Sequence, residues 1–384
     1  MPLFLFHKSA LQRQVSTYCD HKQHNFYSPG EAEAGGAPST PCTSSASEDH
    51  PASTSPLDDT CERPFEATNE DADQVLKSIG IQVNTFQDAS LKGMNVMDNL
   101  TTDRNLKIAT GIDDLQVFRT LVECCKLRAK CRSGDIERNV ILTFMKLKHA
   151  ISFSLLAVLF RLSVTSVSYI FADTVSLLSV ILSAAICWPD KEEIMNSMPK
   201  CFSKYQKTRI IVDCTEVPVE SARCLCCRLK CYSHYKGQQT CKFLIGVSPA
   251  GLITAVSVPW GGRASDKVIF EHMSVLDELE PFVDAVMADK GFHIERVLEE
   301  RGIELYRPPF LRKSRQFTKA DATSTVAIAA ARVHVERVIG RVKAFKMLTQ
   351  TISWTMVPYL HNVIVVICGI TNLARPVLSE DKFL

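Results

Sequence analysis

The chain is predicted to be an α/β protein, on three observations. Two short apolar runs, RIIV before Asp213 and AVMA before Asp289, have the length and composition of buried strands. The stretch ARVHVERVIGRVKAF has helical periodicity, with Val335, Val338, Ile339, Val342 and Phe345 forming one apolar stripe. Ahead of both, residues 133–200 turn helical in several short pieces.

At 384 residues the chain has room for two domains with sizeable cores. The first 75 residues are tail-like. Segment 28–64 is rich in Ser, Thr, Pro, Gly and Glu and has almost no apolar periodicity, so disorder is expected there. The opening MPLFLF is too short for a signal-peptide core, and no small-residue cleavage site follows it. Cys19, Cys42 and Cys61 lack the spacing of a zinc-binding recognition module.

Residues 76–132 are expected to be a linker with a helical segment, and 133–204 a small helix-turn-helix-like domain. Ile136, Val140, Leu142 and Met145 begin its first helix. Ser152 is placed to cap FSLLAVLF, and after a turn at Arg161–Leu162 another helix opens at SVTSVSYIF. A helix, a short turn and a Ser/Thr-led helix is the arrangement whose second helix enters a DNA groove. Ser163, Thr165, Ser166 and Ser168 are weaker base readers than Arg or Asn. Arg161 and Asp173 interrupt the apolar run 155–187, leaving thirteen residues, and 363–370 is shorter still. A bilayer needs about 20, so no transmembrane segment and no membrane partner are expected.

Residues 205–376 carry the chemistry, and 377–384 are a short tail. Asp213 and Asp289 end their apolar runs, while Arg332, Glu336, Gly340 and Lys343 form a polar stripe on the helix. Two strand-end carboxylates and one helical carboxylate are an oxygen ligand set for a pair of Mg²⁺ or Mn²⁺ ions. The plain alternative is a solvated helix face with an Arg332–Glu336 pair at i, i+4. Asp266, in GGRASDKVIF, is the rival for the second aspartate. It follows Ser265 at a helix start, where Asp is favoured in any protein. It is therefore expected at the edge of an acidic cluster.

Net charge is only +2, but residues 301–346 hold eleven Lys/Arg against three acids, a local net of +8. A basic surface beside an acidic site suits a phosphate backbone, with Arg312, Lys313, Arg315, Arg341 and Lys343 as candidate contacts. Cys224, Cys226, Cys227 and Cys231 lack paired zinc-knuckle spacing and read as reduced thiols on a loop.

From about 140 to 376 the chain resembles the Harbinger-type transposases and their domesticated nuclease relatives, the DDE superfamily endonuclease group. The blocks that carry the resemblance are VDCTEV, YKGQQTCKFLIGVSPAGLITAVSVPWGGRASDK, MADKGF, RPPFL with a basic run, and ARVHVERVIGRVK, in the family's order. WPDKEE, after the helical segment, also matches. The resemblance implies a ribonuclease-H-like mixed sheet flanked by helices. It carries the catalytic and metal-binding roles to Asp213, Asp289 and Glu336, with Mg²⁺ or Mn²⁺ as cofactor. It implies DNA as partner, with a separate DNA-binding partner protein and a nuclear location as further expectations. Domesticated relatives that act as silent DNA- or protein-binding adaptors are the alternative.

Overall fold

A computed structural model of the chain describes residues 96–128, 135–309 and 319–377. The expectations for residues 1–75, including Cys19, Cys42 and Cys61, lie outside these, as do Arg312, Lys313 and Arg315.

Helices lead the described chain: α1 (Asp103–Thr110), α2 (Leu115–Arg128), α3 (Ile136–His149), α4 (Phe153–Phe160), α5 (Val164–Leu182) and α6 (Lys191–Asn196). Local chemistry sets their ends. Ser152 caps α4 by accepting from the Leu155 N–H at 3.2 Å, and Ser163 caps α5 by accepting from Ser166 at 3.0 Å. Between them Arg161 is left-handed, with φ 53°, and the Leu162 N–H returns to the Ala157 carbonyl at 2.9 Å. That six-to-one bond closes α4 and turns the chain sharply into α5. The helix-turn-helix lies where Ser152, Arg161 and Ser163 place it.

The remaining elements are β1 (Thr208–Pro218), α7 (Leu225–Cys231), β2 (Tyr232–Ser233), β3 (Gln238–Val247), β4 (Ile253–Val256), β5 (Trp260–Gly261), α8 (Asp266–Glu271), α9 (Val275–Glu278), β6 (Ala285–Ala288), α10 (Glu295–Glu300), β7 (Glu304–Tyr306), α11 (Lys319–Lys343) and α12 (Leu360–Leu373). Seven strands among the described residues form one mixed sheet. β3 runs antiparallel to β1, and β6 and then β7 follow parallel on the other side. β2, β5 and β4 pair with successive parts of the outer edge of β3.

Alternation along the strands divides the core in two. Ile211 and Val217 of β1, Phe243, Ile245 and Val247 of β3, and Met287 of β6 pack in a large core with α11, α12 and the leading helices. Ile210, Val212, Leu244, Val286 and Ala288 face the opposite way, onto Ile269, Phe270, Leu276 and Leu298. The architecture is α/β, a mixed sheet flanked by helices and preceded by the helix-turn-helix. One apolar core joins the leading helices to the sheet.

α5 and α12 are two of the helices that cover this core. Gly369 of α12 allows their contact, because a Cβ there would stand 2.6 Å from the Leu182 carbonyl oxygen. The expectation that no apolar segment is long enough to span is corrected: residues Val164–Ala185 and Trp354–Leu373 are long and apolar enough to cross a membrane by length and composition. Asp173 does not interrupt the first, because one charged group leaves the helix intact. The segments 354–359 and 360–373 run on as successive helical turns, which extends the second beyond the apolar run. In this fold Val167, Phe171, Val175, Leu178, Val363, Ile367 and Ile370 of the two spans pack in the large core.

Two further expectations are revised. Asp213 does not end its strand: β1 continues to Pro218 because β3 pairs alongside it from Val247 to Thr240. The Cys224–Cys231 segment is not a loop, since Leu225–Cys231 is helical with Cys224 as N-cap.

Candidate active site

Asp213 is the sixth residue of β1, and Asp289 directly follows β6. The two strands are parallel, with Val212 paired to Ala288. The next positions, Asp213 and Asp289, therefore lie side by side. Both share the strand parity of Ile211 and Met287, which pack in the large core that includes α11. Each carboxylate accepts the N–H of the following residue, Cys214 at 2.9 Å and Lys290 at 2.7 Å. Burial, the largest influence, pushes the Asp213 carboxyl up to about 6; Arg332 opposes this, and the charges of Asp289 and Asp266 reinforce it.

Arg332 is the cation at this pair. Its Nη1 donates to Asp289 Oδ1 at 2.9 Å from a position that is 9% exposed. It turns to Asp289 and not to Glu336, so the i, i+4 pair is not what this helix forms. At the other end of the stripe, burial lowers the Lys343 ammonium pKa, and the charges of Asp213 and Glu216 partly offset that.

Glu336 lies between Arg332 and Lys343 along the axis. At 3.6 residues per turn it falls within about 40° of both, on the side of α11 that carries the two cations. It is exposed, and it makes no hydrogen bond or ion pair among the described residues. The apolar stripe behind it is buried as its periodicity required, from Val335 and Val338 through Ile339 and Val342 to Phe345.

Asp266 occupies different ground. It is the first residue of α8, capped by Ser265, whose Oγ accepts from the Val268 N–H at 3.3 Å. Its carboxylate pairs with Lys242 at 3.2 Å, and Lys242 reaches Glu216 at 3.5 Å. Glu216 has the strand parity of Val212, opposite to Asp213, and is paired across the ladder with Lys242. Asp266 thus belongs to a Lys242-centred group on the other face of β1, near enough for its charge to reach Asp213. The sequence reading missed this group. Its signal was the Glu216–Lys242 alignment, which is visible only once the register is known.

Arg341 is turned toward the chain end, donating to the carbonyls of Arg375 and, at 2.9 Å, Pro376. His334, two residues before Glu336, is buried with Nε2 3.1 Å from Cys201 Sγ; burial first and then Arg337 lower its pKa to about 4.

Among the described residues no three His, Cys, Asp or Glu side chains are gathered as a ready ligand set. The donor chemistry nonetheless fits a hard divalent cation: two adjacent carboxylates, one of them desolvated, with a positive guanidinium already drawn to them.

Fold and site together define the class: an α/β protein with paired carboxylates at the centre of a mixed sheet, behind a helix-turn-helix. Residues 212–372 match the family model described as DDE superfamily endonuclease, and residues 135–184 match that described as helix-turn-helix of DDE superfamily endonuclease. The two matches support a transposase-derived DDE superfamily endonuclease with DNA as its partner, in a superfamily that generally uses divalent metals. No curated protein and no solved structure matches the chain.

Proposed function

We propose that this protein is a divalent-metal-dependent DNA endonuclease of Harbinger-type transposase descent, with Asp213, Asp289 and Glu336 as its catalytic and metal-binding residues. The side-by-side placement of Asp213 and Asp289 beneath α11 carries the reading. Mg²⁺ or Mn²⁺, when bound, supplies the Lewis acidity that activates water and steadies the leaving oxygen of a phosphodiester. Asp213 and Asp289 would supply neighbouring oxygens from the sheet, and Glu336, exposed on the polar side of α11, would add the third carboxylate by approaching them. Asp266 stands at the edge as an additional negative charge. Arg312, Lys313, Arg315 and Lys343 hold the DNA backbone by phosphate contact, and Arg341 joins them only if it leaves the Arg375 and Pro376 carbonyls. A separate DNA-binding protein supplying target choice, and action in the nucleus, complete the reading. Plasmid incubated with Mn²⁺ and purified protein tests it: wild type should nick or linearise the DNA, and Asp213→Asn should not.

One observation favours the second reading, a catalytically silent adaptor that binds DNA or protein. Asp289 is already paired with Arg332, and three acids are not assembled. Binding without cleavage in either metal would select it.

A further inference from the structure

Resting on the metal-dependent reading above, we propose that Arg332 is the resident counter-ion of the Asp213–Asp289 pair, holding Asp289 until a divalent cation displaces it. Three observations converge. The guanidinium bonds Asp289 Oδ1 at 2.9 Å, on the same oxygen that accepts the Lys290 N–H at 2.7 Å. Two donors on one oxygen leave it poorly placed to accept a cation as well. The Arg332 side chain is 11% exposed against 49% for Asp289, so the carboxylate is reached from solvent while the guanidinium stands behind it. Finally, Arg332 Nε is buried without a hydrogen-bond partner. A guanidinium placed at this depth only for structure spends its donors, because an unpaired buried N–H is costly.

The consequence is competition. A resident positive charge beside the acids neutralises part of the field that attracts Mn²⁺ or Mg²⁺, and it withdraws an oxygen from coordination. Removing the charge should therefore tighten metal binding, by about tenfold for a unit charge at this range in a partly screened site. A structural ion pair predicts the reverse: its loss loosens the sheet edge and weakens binding.

The test is calorimetric titration of Mn²⁺ alone into DNA-free full-length wild type, Arg332→Gln, Asp289→Asn and Asp213→Asn. Arg332→Gln should bind about tenfold tighter than wild type, and the aspartate variants should bind much more weakly. Equal or weaker binding by Arg332→Gln, with wild type binding normally, would overturn the counter-ion role and leave the nuclease reading standing. If wild type and Arg332→Gln both fail to bind, the metal reading and this inference fall together. A measurement on wild type guards against misfolding of Arg332→Gln. In protein labelled with ¹⁵N-arginine, the Arg332 guanidinium signal, identified by its absence from Arg332→Lys, should shift as Mg²⁺ is added. A signal unmoved at saturating Mg²⁺ would equally overturn the proposal.

Discussion

Asp213 and Asp289, 76 positions apart in the chain, stand side by side because Val212 of β1 pairs with Ala288 of β6. Burial raises the Asp213 carboxyl to about 6, whereas an aspartate in an unfolded chain titrates near 3.9. The folded state therefore holds the proton more tightly. The favourable contribution is full below pH 4 and is lost as pH rises through 6, beyond which the fold carries the whole cost of the charge. In EDTA, Asp213→Asn should melt several degrees higher than wild type at pH 8, on a cost of about 2–3 kcal/mol. The gap should close toward pH 4. Melting curves across that range check it, and a gap that does not vary with pH would mean the carboxylate is not desolvated.

Asp266 and Asp289 make different predictions for metal binding. Asp266 is held by Lys242 on the face of β1 opposite to Asp213, whereas Asp289 shares the Asp213 face. Asp289→Asn should weaken Mn²⁺ binding at least tenfold, and Asp266→Asn by no more than about threefold, the effect of a charge acting at a distance. If Asp266→Asn alone abolished binding, the second aspartate would have to be reassigned.

Asn372 joins the last helix to the sheet. Its side chain accepts from the Ile253 N–H at 2.9 Å and donates to the carbonyls of Ile253 at 2.8 Å and Ala185 at 2.9 Å. Ile253 is fully buried, so Asn372→Ala strands a buried amide and carbonyl together. A loss of about 2–4 kcal/mol is expected, against a larger loss at pH 7 for Asn372→Asp, whose carboxylate keeps the acceptor but sets an oxygen against the Ile253 and Ala185 carbonyls. Urea denaturation of the two variants should rank them in that order.

The legible parts of this fold were those governed by short-range periodicity. Ser152 and Ser163 as caps, the turn at Arg161–Leu162 and the buried stripe from Val335 to Phe345 each follow from residues within a turn or two of one another. The Asp213–Asp289 adjacency is set by the pairing of β1 with β6, and no local pattern encodes which strand lies beside which. Arg332 was visible as part of a polar stripe, but its partner was not. Choosing Asp289 over Glu336 depends on the depth at which α11 meets the sheet, a long-range packing fact. The same limit hid the Glu216–Lys242–Asp266 group, whose members meet through an antiparallel register. The helical state of Cys224–Cys231 was missed because seven residues carry too little periodicity to tell a short helix from a loop.

The functional reading predicts a separation of binding from cutting. Arg312, Lys313 and Arg315 belong to the basic stretch of residues 301–346, and each phosphate neutralised there releases counterions. DNA affinity should therefore fall steeply with salt. Reversing all three to Glu should weaken binding across unrelated sequences and flatten the salt dependence, since phosphate contacts position the duplex without reading it. Asp213→Asn should leave that binding within about twofold of wild type and stop cleavage, because the carboxylate holds the metal and not the backbone. Filter binding at several salt concentrations beside Mn²⁺ cleavage assays checks both arms. Wild type that binds but never cuts in Mg²⁺ or Mn²⁺ would pass the protein to the adaptor reading, and wild type that does neither would remove DNA from the account.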